Sequence, residues 1–197
     1  MAYPAVNGPY GLIPINLIGG QVFAGATRTI PITSGSATAI YFGDLVKLNS
    51  SGTIDKDAGT SAATPVGVFL GCSYTDPVYG KTFRQFYPGA VTASDIAAVV
   101  IDDPDALFKV AVVSSGTTVS YVARAAVGEN AVLVQNSGNT LNGASRVAVS
   151  STTATTSTWP VRIVDVVSET QSAAGSFTEV VVKWNQGMHQ YLNPTGV

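Results

Sequence analysis

From Arg28 onward, short runs rich in Val, Ile, Thr and Tyr alternate with clusters of Gly, Asn and Ser. β-Branched and aromatic side chains suit a pleated, half-buried surface, and regularly spaced turn residues between such runs mark an all-β sandwich or barrel. The runs predict strands at residues 28–32, 37–41, 45–48, 66–74, 83–87 and 97–101, then at 107–113, 119–125, 131–134, 146–150, 161–167 and 178–185. Asn49-Ser-Ser-Gly52 and Asn136-Ser-Gly-Asn139 carry hairpin-turn chemistry. The one helical turn expected lies at 102–107, where Asp103-Pro104 suits a helix start.

The first 27 residues hold no charged side chain, and Pro4, Gly8, Pro9, Gly11 and Pro14 exclude a helix there. Two readings fit. The stretch is an edge strand packed on its own domain, or an extended arm whose apolar anchors dock on a neighbouring subunit. The second is preferred, with Tyr3, Tyr10, Leu12, Ile13, Ile15 and Leu17 as contacts. The last residues, GMHQYLNPTGV, form a second uncharged, proline-broken extension, in which His189 and Tyr191 are the candidate contacts.

A faint internal repeat runs through the middle of the chain. GDLVKLNSSGTI (43–54) echoes GENAVLVQNSGNTL (128–141), and each precedes a run opening on proline, PVGVFLGCS (65–73) and PVRIVDVVS (160–168). Upstream, ITSGSAT (32–38) is similar to VSSGTTV (113–119). Each unit would be a small meander whose Gly-x-x-V strand pairs with the Pro-Val strand. The organisation expected is therefore an all-β chain with two small β-sandwich or barrel-like modules. An N-terminal arm covers 1–27, a first module with an aromatic connecting segment 28–112, a second module 113–187, and a C-terminal tail 188–197.

Composition narrows the chemistry. Of 197 residues only 11% are charged, against roughly 25% in an average globular protein. With 46% hydrophobic residues, intrinsic disorder is excluded. A net charge of −2 supplies no attraction to nucleic acid or acidic lipid. No apolar run reaches the ~18 residues of a membrane-spanning helix, and the first residues lack the basic start of a signal peptide. The expected place of synthesis and residence is a cytoplasm.

A single cysteine, Cys72, and a single histidine, His189, leave no disulfide framework, no Cys-cluster zinc site and little room for histidine chemistry. The G-x-S-x-G elbow and both glycine-rich phosphate loops are absent. Asp102, Asp103 and Asp105 lack calcium-loop spacing and read as an exposed turn. The tract SSTTATTST (150–158) reads as a solvated loop. No catalytic residue, metal ligand or cofactor is expected. The segment 72–88 sets Tyr74, Tyr79, Phe83, Phe86 and Tyr87 beside Lys81 and Arg84. Aromatics with arginine are the residues protein interfaces use as anchors, which makes Tyr79, Phe83, Arg84 and Tyr87 candidate contacts.

GDLVKLNSSGTIDKDAGTSAATPVGVFLG (43–71) is similar to the G-D-x-V-x-L…G…P-x-G-V pattern of β-rich head decoration proteins of tailed bacteriophages. GCSYTDPVYGKTFRQFYPG, ASDIAAVVIDDPDALFKV and VVKWNQGMHQYLNPTGV resemble cement proteins of aquatic podovirus-like and cyanobacterial phages. The resemblance covers most of the chain and shares no catalytic motif. It implies a non-enzymatic virion protein that binds the major capsid protein on the outside of an HK97-type head, commonly as a homotrimer, and that resides in the host cytoplasm before assembly. A tail-tube or head-fibre component, and a carbohydrate-binding or host-adhesion module, are the competing classes.

Overall fold

A computed structural model of the chain describes residues 6–173 and 175–197. It is almost entirely β. The first strands are β1 (Ile13–Leu17), β2 (Arg28–Pro31), β3 (Leu45–Leu48), β4 (Ile54–Lys56), β5 (Gly67–Asp76), β6 (Gly80–Arg84) and β7 (Ala97–Ile101). They are followed by β8 (Ala106–Ser115), β9 (Thr118–Val119), β10 (Val122–Ala123), β11 (Asn130–Val134) and β12 (Ala148–Ala154). The last are β13 (Val161–Val166), β14 (Gln171–Ala173), β15 (Ser176–Phe177) and β16 (Glu179–Trp184). Short β10, β14 and β15 form a small sheet of their own.

Ten of the other thirteen strands make two closed rings of five, while β1 and β9 pair with β8 and β6 with β5. In the second half the order is β8-β12-β11-β13-β16, and β16 pairs back onto β8. In the first half it is β2-β7-β5-β3-β4, closed by a parallel bridge from Ile32, just after β2, to Ile54 in β4. The two rings share one wiring. β2, β3, β4, β5 and β7 correspond in turn to β8, β11, β12, β13 and β16. The parallel contact recurs between β8 and β12, at Val113 and Ser150.

The correspondence extends to single hydrogen bonds. Gly43 N–H donates to the Phe69 carbonyl at 2.8 Å, and Phe69 N–H to that of Asp44 at 2.9 Å. In the second half Gly128 donates to Ile163 and Ile163 to Glu129, both at 2.9 Å. Immediately beyond, each strand bulges by one residue, between Phe69 and Gly71 opposite β7 and between Ile163 and Asp165 opposite β16. Such a bulge bends the strand and raises its twist, which a five-stranded closure requires.

The barrels pack side by side. Along β3, β5 and β7 the side chains alternate between two apolar clusters. Val46, Phe69 and Val100 fill the first barrel, whereas Leu45, Val68 and Ile101 join the cluster that contains Phe108, Leu133 and Trp184 of the second. Both faces of these strands are buried, which explains their near-continuous hydrophobic runs.

The inner part of the expected N-terminal arm is not free. β1 lies antiparallel on the lower half of β8, from Ile13↔Lys109 to Leu17↔Ala106. Leu12 is wholly buried and its N–H donates to the Gly43 carbonyl at 3.0 Å. Gly11, at φ +85°, threads where an added Cβ would stand 2.7 Å from the Ser145 Cβ. Proline at position 14 is tolerated because β1 is an edge strand with a bulge between Pro14 and Asn16.

Other expectations shift as well. Residues 37–41 contribute only an isolated bridge, Ile40↔Tyr87. β8 belongs entirely to the second barrel, so the chain passes between barrels at 102–105. That passage is a turn and not a helix, held by the Asp103 side chain accepting from Asp105 N–H at 2.8 Å. Part of the Ser/Thr tract, through Ala154, is strand β12.

If Leu12 is core, Leu12→Ala should lower unfolding free energy by about 2–5 kcal/mol. Urea titration of the full chain checks this. Stability equal to that of the unmutated chain would restore the free-arm reading.

Candidate interaction surface

The most exposed apolar group with a defined scaffold sits on the β5–β6 hairpin. The strands pair from Cys72↔Arg84 to Asp76↔Gly80 and are joined by Pro77, Val78 and Tyr79. Gly80, at φ +72°, takes the left-handed position that closes this turn. The Asp76 carboxylate accepts from the N–H groups of Val78 and Tyr79 at 2.8 and 3.1 Å. Those two backbone bonds hold its pKa below the ordinary carboxylate range.

Val78, Tyr79 and Phe83 are 78%, 79% and 80% exposed. This is an exposed apolar trio on a well hydrogen-bonded turn, the kind of feature a protein contact uses. The nearby cations are already engaged. Lys81 pairs with Asp95 at 2.9 Å, and Arg84 lies 5.9 Å from the Tyr74 ring centre. Asp95 also accepts from the Thr75 N–H and hydroxyl, and the bond from Lys81, the largest influence, holds its carboxyl far below the usual range. Beside Phe83 runs a shallow groove of about 350 Å³ bordered by Phe42, Leu70 and Val99. Cys72 lines it as well, but burial pushes its thiol up to about 11, so it is no nucleophile at neutral pH.

The other contact candidates fall in three places. Tyr79, Phe83 and the half-buried Arg84 lie on the same hairpin, but Phe83 and Arg84, being adjacent in β6, point to opposite faces of it. Tyr87 does not join them: it is wholly buried in the first barrel, and its hydroxyl donates to the Ser36 carbonyl at 2.9 Å. Tyr3 lies outside the described residues. Tyr10 is half-buried and donates to Glu179, while Lys109 stands 3.6 Å from that carboxylate and 5.7 Å from the Tyr10 ring centre. Burial, reinforced by Glu179, pushes the Tyr10 hydroxyl well above its usual range. This trio clips the N-terminal segment to the second barrel. Ile13 and Leu17 are partly covered, and Ile15 is 36% exposed.

The C-terminal extension is also anchored. The Gln190 amide accepts from Leu48 N–H at 2.7 Å and donates to its carbonyl at 3.0 Å, in the manner of an added strand residue. Tyr191 reaches Asp102 at 3.2 Å and sits under Arg28, which pairs with the same carboxylate at 2.8 Å. His189 is wholly buried between Trp184 and Tyr191, so it is a core residue and no contact. Its Nδ1 accepts from Tyr191 N–H at 3.3 Å, and among the described residues its Nε2 has no partner within hydrogen-bonding geometry.

Reading from the residues missed Val78, which stands in the aromatic segment between Pro77 and Tyr79 and shares their exposure. It also missed Leu141, 95% exposed on the loop after Asn136. Among the described residues, no group of three His, Cys, Asp or Glu side chains could hold a metal ion, and no helix is long and apolar enough to cross a membrane.

The chain matches no family model, no curated protein and no solved structure. Function must therefore be argued from the surface itself.

Burial lowers the pKa of His189, the Val66 backbone only partly opposing it. The unfolded chain then binds a proton near the ordinary value of about 6.5 that the folded chain refuses. Stability should fall as pH drops from 7 to 5.5. His189→Asn, which keeps an acceptor for Tyr191 N–H, should flatten that slope in thermal melts, whatever its effect at pH 7.

Proposed function

We propose that the protein is a non-enzymatic virion structural protein that binds the outer surface of an HK97-type phage capsid and bridges capsomers to stabilise the head. Its partners are the major capsid protein and its own copies, as a homotrimer. It occupies the host cytoplasm before assembly and the capsid exterior afterwards. The observation that carries this reading is the exposed Val78, Tyr79 and Phe83 trio on a firmly built hairpin. The resemblance of the sequence segments to phage cement proteins gives the trio its lattice. The contact expected of the terminal arms passes to this hairpin, because the described parts of both termini are fastened to the chain's own barrels.

Magnitudes favour a multivalent role. Covering Val78, Tyr79 and Phe83 is worth about 1.5–3 kcal/mol each. Association costs roughly 4–15 kcal/mol in lost translation and rotation. One hairpin is thus marginal. Three presented together raise the effective concentration of the second and third, and the assembly holds firmly.

Purified virions should contain the protein in hundreds of copies by quantitative mass spectrometry. A few tens would indicate a tail or fibre part, and none would end the virion reading. With stripped capsids, the double variant Tyr79→Ser, Phe83→Ser should fold normally and lose at least tenfold in occupancy.

A further inference from the structure

β3 outruns its neighbour at one end. The Val46 carbonyl accepts from Val66 N–H at 2.8 Å, but the next residue back along that neighbouring segment is Pro65, which has no N–H to give. The backbone of Leu48 is satisfied from elsewhere. Gln190 accepts from Leu48 N–H at 2.7 Å, donates to the Leu48 carbonyl at 3.0 Å, and gives its own N–H to the Pro65 carbonyl at 2.9 Å. One residue of the C-terminal segment thus stands in for a missing stretch of strand. The segment follows β16, so it can lift without parting a strand pair of either barrel. Its foot is His189, which has no solvent exposure and lies against Trp184 and Tyr191 with ring centres 6.2 and 5.4 Å away. At its outer side the Tyr191 hydroxyl and Arg28 meet on Asp102.

We propose that residues 186–197 are an acid-opened strap: a proton taken up by His189 lifts them from β3 and bares the Leu48 edge while both barrels stay folded. Geometry supplies the trigger. His189 Nδ1 accepts from Tyr191 N–H, so the neutral ring carries its hydrogen on Nε2 and a further proton must enter at Nδ1. Two donors would then face each other at 3.3 Å. The charge would also enter a site without solvent, where it is costly unless partners replace hydration. The groups around the ring replace too little of it. Asp102 and Asp103, from the turn between barrels, and the Val66 backbone favour the charged ring, yet burial outweighs all three. Asp102 is moreover shared with Arg28 and Tyr191. Trp184 of β16 brings no charge. In the lifted strap the imidazole is hydrated and binds its proton near the ordinary value of about 6.5. Opening therefore becomes about tenfold more favourable between pH 7.5 and 5.5, while the closed ring stays neutral. None of this depends on a capsid.

The test is amide hydrogen exchange by NMR on the full chain, corrected for the intrinsic rate at each pH. Leu48 N–H reports the strap, since Gln190 is its acceptor, and Phe69 N–H, bonded to the Asp44 carbonyl, reports the first barrel. Leu48 protection should lie about a hundredfold or more below that of Phe69, and should fall about tenfold from pH 7.5 to 5.5. Equal protection of the two amides overturns the proposal, since the strap then opens only with the barrels. So does Leu48 protection that ignores pH over this range. His189→Asn, which keeps an acceptor for Tyr191 N–H, should abolish the tenfold change, and persistence of the change in that variant is a further refutation. Gln190→Ala removes both bonds to Leu48, so that amide should lose protection at either pH while Phe69 keeps it. Loss of protection at both amides would make the strap part of the barrel core and end the proposal.

Discussion

One buried carboxylate ties the molecule together. Asp44 has no solvent exposure, yet each of its bonds comes from a different part of the chain. Lys56 of β4 pairs with it at 2.7 Å, the Ser145 hydroxyl from the second half donates at 2.6 Å, and Tyr41 N–H donates at 3.0 Å. An ionised group taken out of water costs several kcal/mol unless its partners replace hydration, and removing one partner leaves the charge uncompensated. The segments that supply these donors are thereby forced to meet. Phe42 and Ala144 form a parallel bridge beside the carboxylate, and Gly11 passes over Ser145 with no room for a side chain. The Tyr41 ring stacks on Phe86 at 5.5 Å, with the Gly138 backbone pressed against it so closely that an added Cβ would lie 2.2 Å away. Barrel one, barrel two and the N-terminal segment share this junction.

The duplication explains why such a junction is needed. Two copies of one small barrel each bury too little surface to be very stable alone, as expected of units well under 100 residues. Packing them together turns the outer face of β3, β5 and β7 into core. The two barrels differ where they meet solvent. Between β5 and β7 the first carries the β5–β6 hairpin with its exposed aromatics. At the equivalent place, between β13 and β16, the second carries only the short β14–β15 pairing. The two halves share their wiring and differ in this exposed insertion.

Much of the fold was legible because period-two alternation is a local signal. β3 and β7 begin and end where the residue pattern places them, at 45–48 and 97–101. The repeat was legible because Gly-Asp and Gly-Glu do the same backbone work in both halves. What failed was everything decided by a distant partner. Leu12 and Ile13 look alike whether they dock on β8 of their own chain or on another molecule, since an uncharged, proline-broken stretch says nothing about who covers it. Tyr87 and Tyr79 look alike in a run of aromatics. They part because the hairpin ends at Arg84, and the chain then turns inward to meet Ile40. Composition hid β12, because a Ser/Thr tract suggests solvent although β-branched Thr is a good strand former. Thr153 finds Glu129 there.

The residues the structure buries against expectation share one property, and it bears on how the surface works. Leu12, Tyr87 and His189 are core, yet in sequence they resemble surface contacts because the chain has few charges to mark its surface. Low charge removes the usual distinction between a face that meets water and one that meets protein. What then distinguishes a contact from a core residue is rigidity combined with exposure. The β5–β6 hairpin has both, since its turn is capped by Asp76 and its flank is clamped by Asp95. A preformed apolar tip loses little conformational entropy on docking, so a larger share of its burial survives as affinity than a floppy arm of the same composition would keep. On the proposed reading, docking is served better by one stiff exposed tip than by two loose ends.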